Sequence, residues 1–115
     1  MPVRIDINPS EIAHNIDKLW GKGLAELTSQ VLADCNKYCK EDTSTLIMSS
    51  LIHSELDKGL CIWQTPYAAR QYYEIKTAHT DVNPNASWRW ADVAKKNHFP
   101  KWERQAQALM RLYHE

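Results

Sequence analysis

The feature that most constrains this chain is a change of hydrophobic period at residue 8. Val3-Arg4-Ile5-Asp6-Ile7 alternates apolar and charged residues, the pattern of a strand with one face on a core. Asn8-Pro9-Ser10-Glu11 follows at once, offering a cap residue, a proline at the first helical position and a glutamate three residues after the cap. Apolar residues then recur at Ile12, Ile16, Leu19 and Trp20, and again at Leu24, Leu27, Val31, Cys35 and Tyr38, which keeps one helical stripe facing inward. A strand that hands over directly to a long helix, within 115 residues, leaves room for one mixed core. We therefore expect an α+β fold and a single domain over 1–115.

Gly21 and Gly23 interrupt the stripe, so the spacing predicts a helix kinked or broken there and ending near Tyr38 to Lys40. Lys37 and Lys40 complement the negative end of that helix dipole. Thr45 to Leu56 is rich in β-branched and aliphatic residues, Asp57-Lys58-Gly59 supplies turn chemistry, and Leu60-Cys61-Ile62-Trp63 resumes an apolar run. This predicts an antiparallel hairpin over 45–64, giving a small sheet on which the long helix packs. Thr65-Pro66 repeats the cap-then-proline device and predicts a helix over 65–74. Residues 75–87 read as an exposed loop with room for a weak extra strand. The C-terminal helices, 88–114, are expected as two, with a break at Asn97 to Pro100 and a resumed inner face at Trp102, Ala106, Leu109, Met110 and Tyr113.

Several function classes lack their chemistry. Fourteen basic residues balance fourteen acidic ones, so the surplus that drives binding to phosphate backbones is missing and no sequence-specific nucleic-acid partner is expected. Met1 to Asp6 has no apolar signal region and the apolar runs are short, so neither a signal peptide nor a membrane partner is expected. Gly21-Lys22-Gly23 does not continue into a dinucleotide fingerprint, and no phosphate loop, nucleophile elbow or His-Glu-x-x-His helix occurs; no enzymatic activity and no cofactor are expected. Asn85-Ala86-Ser87 fits a glycosylation acceptor but reads as loop sequence. Cys35 and Cys39 lie one helical turn apart and could share a metal with Cys61 and a histidine. Cysteines on an apolar stripe are more simply small core residues, and the paired spacings of zinc sites are absent, so no metal is expected.

The aromatic residues are placed unevenly. Of five tryptophans, five tyrosines and one phenylalanine, only Trp20 and Tyr38 precede Trp63. Trp63 and Trp102 suit the core. Trp88 and Trp90 flank the polar loop and point to opposite sides of a helix start, so one of them is a candidate interface anchor. Arg70, Tyr72 and Tyr73 join them as candidate interface residues, Arg70 as a contact for a neighbouring protein or as a stem that covers apolar surface.

Four ordered blocks carry a resemblance: Ala33-Asp34-Cys35-Asn36-Lys37-Tyr38-Cys39; Asp42 with Leu46 and Ser49; Ile62-Trp63-Gln64-Thr65-Pro66-Tyr67-Ala68-Ala69-Arg70-Gln71-Tyr72-Tyr73; and Trp88 through Ala94-Lys95-Lys96-Asn97-His98 with Trp102. Together they resemble the small minor capsid proteins of tailed bacteriophages, of the head-tail connector or tail-completion type. The chain departs from the usual pattern at Lys40, Ser44, Ile47 and Glu74.

The resemblance implies a structural protein of the virion neck, assembled in the host bacterial cytoplasm and working without cofactors. Its implied partners are other neck proteins (a portal-proximal connector, a stopper or tail terminator, the tail tube) and copies of itself. A ring of copies needs two different patches on each subunit. The expected patches are the loop with Trp88 or Trp90 behind it, and the hairpin edge or the Val3 to Ile7 strand acting by strand pairing. The competing readings are a small protein-binding module and a metal-binding domain that uses Cys35, Cys39 and Cys61.

Overall fold

The computed structural model describes residues 3–7, 21–40, 45–75 and 85–113. Strand β1, Val3–Asp6, is followed among these residues by helix α1, Lys22–Asn36, and helix α2, Thr45–His53. A single 3-10 turn at Leu56–Lys58 leads into strand β2, Leu60–Trp63, then helix α3, Ala68–Tyr73, and helix α4, Trp90–Tyr113. The α+β class is as expected. The expectations for residues 8–20 and for the 76–84 part of the loop fall outside the described residues.

The alternation in the first strand works as its pattern demands: Val3 is fully buried while Arg4 and Asp6 are exposed. β1 pairs antiparallel with β2, Val3 opposite Trp63 and Asp6 opposite Leu60. Gly59 closes the approach to β2 in the left-handed region, at φ 72°. Its carbonyl accepts from the Ile7 amide at 2.7 Å, and a Cβ there would stand 3.3 Å from the Ile7 oxygen. The positive φ and this close approach both favour glycine.

The hairpin expected over 45–64 is corrected. Its turn and second strand exist, but residues 45–53 form a helix, and β2 takes β1 as its partner instead. The reason lies in which residues α2 buries. Leu46, Ser49 and Ser50 recur at helical spacing and are buried, while Met48, Leu51 and Ile52 face outward. A pattern read from apolar residues alone misses a helix whose inner stripe is largely serine.

The C-terminal break is also corrected. α4 runs unbroken from Trp90 to Tyr113 with Pro100 inside it. Pro100 sits on the exposed side, and the buried positions Ala94, Trp102, Ala106 and Leu109 keep their stripe across it. Packing of that stripe on α1 offsets the lost backbone hydrogen bond, at roughly 2 kcal/mol per large apolar side chain buried. Gly21, at φ 60°, precedes the start of α1, and Gly23 is buried within its first turn. Helix α1 therefore starts just after Gly21, and the helix expected ahead of it lies outside the described residues.

One apolar cluster joins all the elements, with Leu27, Val31, Trp63, Tyr72, Trp90 and Trp102 among its large members. Cys35, Cys39 and Cys61 are buried within it. Burial pushes the Cys61 thiol up to about 12 and raises the Cys35 thiol well above its ordinary value, so these two side chains stay protonated. No group of metal-ligating side chains exists among the described residues.

Candidate interaction surface

The frame behind any surface is polar as well as apolar. Asp34 is fully buried and its carboxylate accepts from Trp102 Nε1 at 2.7 Å, Lys101 Nζ at 3.2 Å, Lys37 Nζ at 3.1 Å and Gln30 Nε2 at 3.2 Å. Burial alone would raise its pKa, but the hydrogen bonds from Trp102, Lys37, Gln30 and Lys101 outweigh that and hold it at about 2. One residue thus bolts α1 to α4. Tyr38 adds a second tie, its hydroxyl 3.0 Å from His98 Nε2. Lys40 does not serve the end of its own helix, as its position suggested. Its ammonium donates to the carbonyls of Gln71 and Ile75, capping α3 from 31 residues away in sequence.

Among the described residues, three of the exposed large apolar side chains lie on α2. Met48 is 52% exposed, Leu51 62% and Ile52 70%, at the spacing that puts them on one side. The buried serines hold the helix this way round. Ser49 Oγ donates to the Leu46 carbonyl and accepts the Gln64 amide at 3.1 Å; Ser50 Oγ accepts from Asn36 Nδ2 at 2.9 Å. Asn36 Oδ1 in turn accepts from Trp63 Nε1 at 3.0 Å, which ties α1, α2 and β2 together.

The second feature is an arginine held between rings. The Arg89 guanidinium lies 5.3 Å from the Tyr73 ring centroid and 5.2 Å from that of Trp88, and Trp88 Nε1 donates to the Tyr73 carbonyl at 3.3 Å. Arg89 enters α4 with φ 52°, a conformation that costs a non-glycine residue of order 1 kcal/mol. Its charge is met by Asp92 at 3.7 Å, a loose pair with both side chains partly in water. Between β1, α1 and α4 lies a cavity of about 180 Å³, bounded by Ile5, Ile7, Val31, Cys35, Phe99 and Trp102 together with Asp6, Asp92 and Lys95. It is smaller than most small-molecule sites.

The family model described as minor capsid protein matches residues 3–110. The chain belongs to the minor capsid protein family. No curated protein and no solved structure matches it. It is accordingly a phage structural protein and a component of the virion.

Several residues of the blocks that resemble this family build the frame. Asp34 meets Trp102, Tyr38 meets His98, and Trp63 and Tyr72 pack edge-on against Trp90 at centroid distances of 5.7 and 4.7 Å. Trp90 and Tyr72, read from the sequence as candidate contacts of this minor capsid protein, are therefore corrected. They are 0% and 2% exposed and form the aromatic centre of the core. Tyr73 and Arg70 are exposed, and Trp88 is half-buried beside Tyr73. The structure thus brings Tyr73 and Trp88 together, with Arg89 between them. The apolar face of α2 escaped the sequence reading because those residues were assigned to a strand. No signal in the sequence pointed to Arg89.

Proposed function

We propose that this minor capsid protein is a subunit of the phage neck, joining the head to the tail as several copies arranged around the symmetry axis, with no catalytic step. Its partners are then the portal-proximal connector, the stopper or tail terminator, the tail tube and its own copies. The observation that carries this reading is the outward apolar face of α2. Met48, Leu51 and Ile52 gain nothing in an isolated subunit, and burial against a neighbour would remove their apolar surface from water. The Tyr73–Arg89–Trp88 cluster favours the same reading, because aromatic and arginine side chains held in place are typical interface anchors. The two features supply the two different patches that a closed ring demands.

The test is electron microscopy of virions produced with and without the gene. Filled heads separated from free tails when the protein is missing are expected. Normal, infectious particles would overturn the neck assignment.

A further inference from the structure

The two strands of the small sheet end in different ways, and the difference can be read atom by atom. The Ile7 amide bonds the Gly59 carbonyl, so the odd-numbered residues of β1 turn their main-chain groups toward β2. Arg4 and Asp6 therefore aim their amides and carbonyls away from it. By the same alternation Leu60, Ile62 and Gln64 aim theirs away from β1. The three amides of the second strand are taken: that of Leu60 by the Glu55 carbonyl at 3.0 Å, that of Ile62 by Ser54 Oγ at 2.8 Å and that of Gln64 by Ser49 Oγ at 3.1 Å. Those of Arg4 and Asp6 meet no partner among the described residues.

From this edge, unpaired among the described residues, we infer that β1 pairs with β1 of a second copy of the chain, antiparallel about a two-fold axis at Ile5. Because the β2 edge is closed, a strand contact between copies has to use the β1 edge twice. Three registers would set outward groups opposite one another. Two of them oppose Arg4 to Arg4 or Asp6 to Asp6, and like charges directly opposite repel. The third sets Arg4 opposite Asp6 of the second copy and Asp6 opposite its Arg4. Each such pair exchanges both main-chain hydrogen bonds and adds an attraction between side chains of opposite charge. Within one chain Arg4 and Asp6 are only loosely paired, at 3.8 Å and with side chains 58% and 74% exposed, so both are available.

The contact is small, so the dimer is weak, and it is separate from the ring contact proposed above. It stands or falls independently of the neck assignment. The test is sedimentation velocity of the full chain over a concentration series from about 10 μM to about 1 mM, with R4D, D6R and the exchanged pair R4D/D6R. The wild type is expected to form a dimer. Either single reversal places two like-charged contacts across the axis and should weaken dimerisation about tenfold, while the exchanged pair restores it to within about threefold. Circular dichroism checks that each variant keeps the fold, which is expected because both side chains lie on the surface. A chain that stays monomeric throughout, or that dimerises equally well in all four forms, would overturn the inference.

Discussion

The two edges of the sheet show what a helix can do for a strand and what its absence leaves. β2 is lined by α2 and the segment after it, and Ser49, Ser54 and Glu55 supply the groups that its outward main chain needs. The outward main-chain groups of β1 receive no such partners among the described residues, and they lie beside exposed charges. Closing the β2 edge turns the serines of α2 inward and leaves Met48, Leu51 and Ile52 in water. The same device that seals one edge thus creates the apolar face on the outside.

The strongest way to break this comparison is to remove the support that both edges share. Asp34→Ala should destabilise the fold by about 3 kcal/mol in urea unfolding, because it strands the buried Trp102 indole N–H and removes the contacts of two lysines. The same carboxylate predicts a pH dependence. Its folded pKa, about 2, lies below the ordinary 3.8. The unfolded chain therefore takes up the proton first as pH falls. The stability Asp34 contributes is whole above about pH 4 and is lost between about pH 4 and pH 2, amounting to about 2 kcal/mol. Thermal melts across that range should show the loss in the wild type, and Asp34→Asn should remove this component.

Opening the closed edge comes next. Ser54→Ala leaves the Ile62 amide without its acceptor and Ser49→Ala does the same to Gln64; each should cost about 1–2 kcal/mol by chemical denaturation. The Ser54 variant should also self-associate more than the wild type by light scattering, since it frees a strand edge. Gly59→Ala strains a left-handed turn and crowds the Ile7 carbonyl where β1 begins to pair, with an expected cost of about 1 kcal/mol in thermal unfolding. The smallest effect on the fold is expected from Leu51→Ser with Ile52→Ser. Both side chains are exposed, so stability should change by less than about 0.5 kcal/mol. Incorporation into virions, read by immunoblotting of purified particles, should nevertheless fall several-fold.

The sequence carries the fold where residue type and periodicity agree. The alternation in Val3 to Ile7, the stripe from Leu27 to Cys35 and the turn at Gly59 each follow from neighbours along the chain. The helix at 45–53 does not, because its buried positions are serines whose partners, Asn36 and Gln64, lie in other elements. Pro100 misleads for a related reason: its local penalty is set against packing on α1, more than 60 residues away. The charge centre at Asp34 is invisible in one dimension, since nothing near residue 34 points to Trp102. Of the candidate contacts, Trp88 and Trp90 are nearly alike in sequence context. The choice between them depends on Trp63 and Tyr72, which claim Trp90 for the core.

The most direct measurement of the edge asymmetry is amide hydrogen exchange by NMR at low and high protein concentration. The amides of Leu60, Ile62 and Gln64 should be protected at every concentration. Those of Arg4 and Asp6 should exchange freely in dilute solution and gain protection as the protein self-associates. Equal protection of both sets in dilute solution, or no change at Arg4 and Asp6 on concentration, would contradict the account.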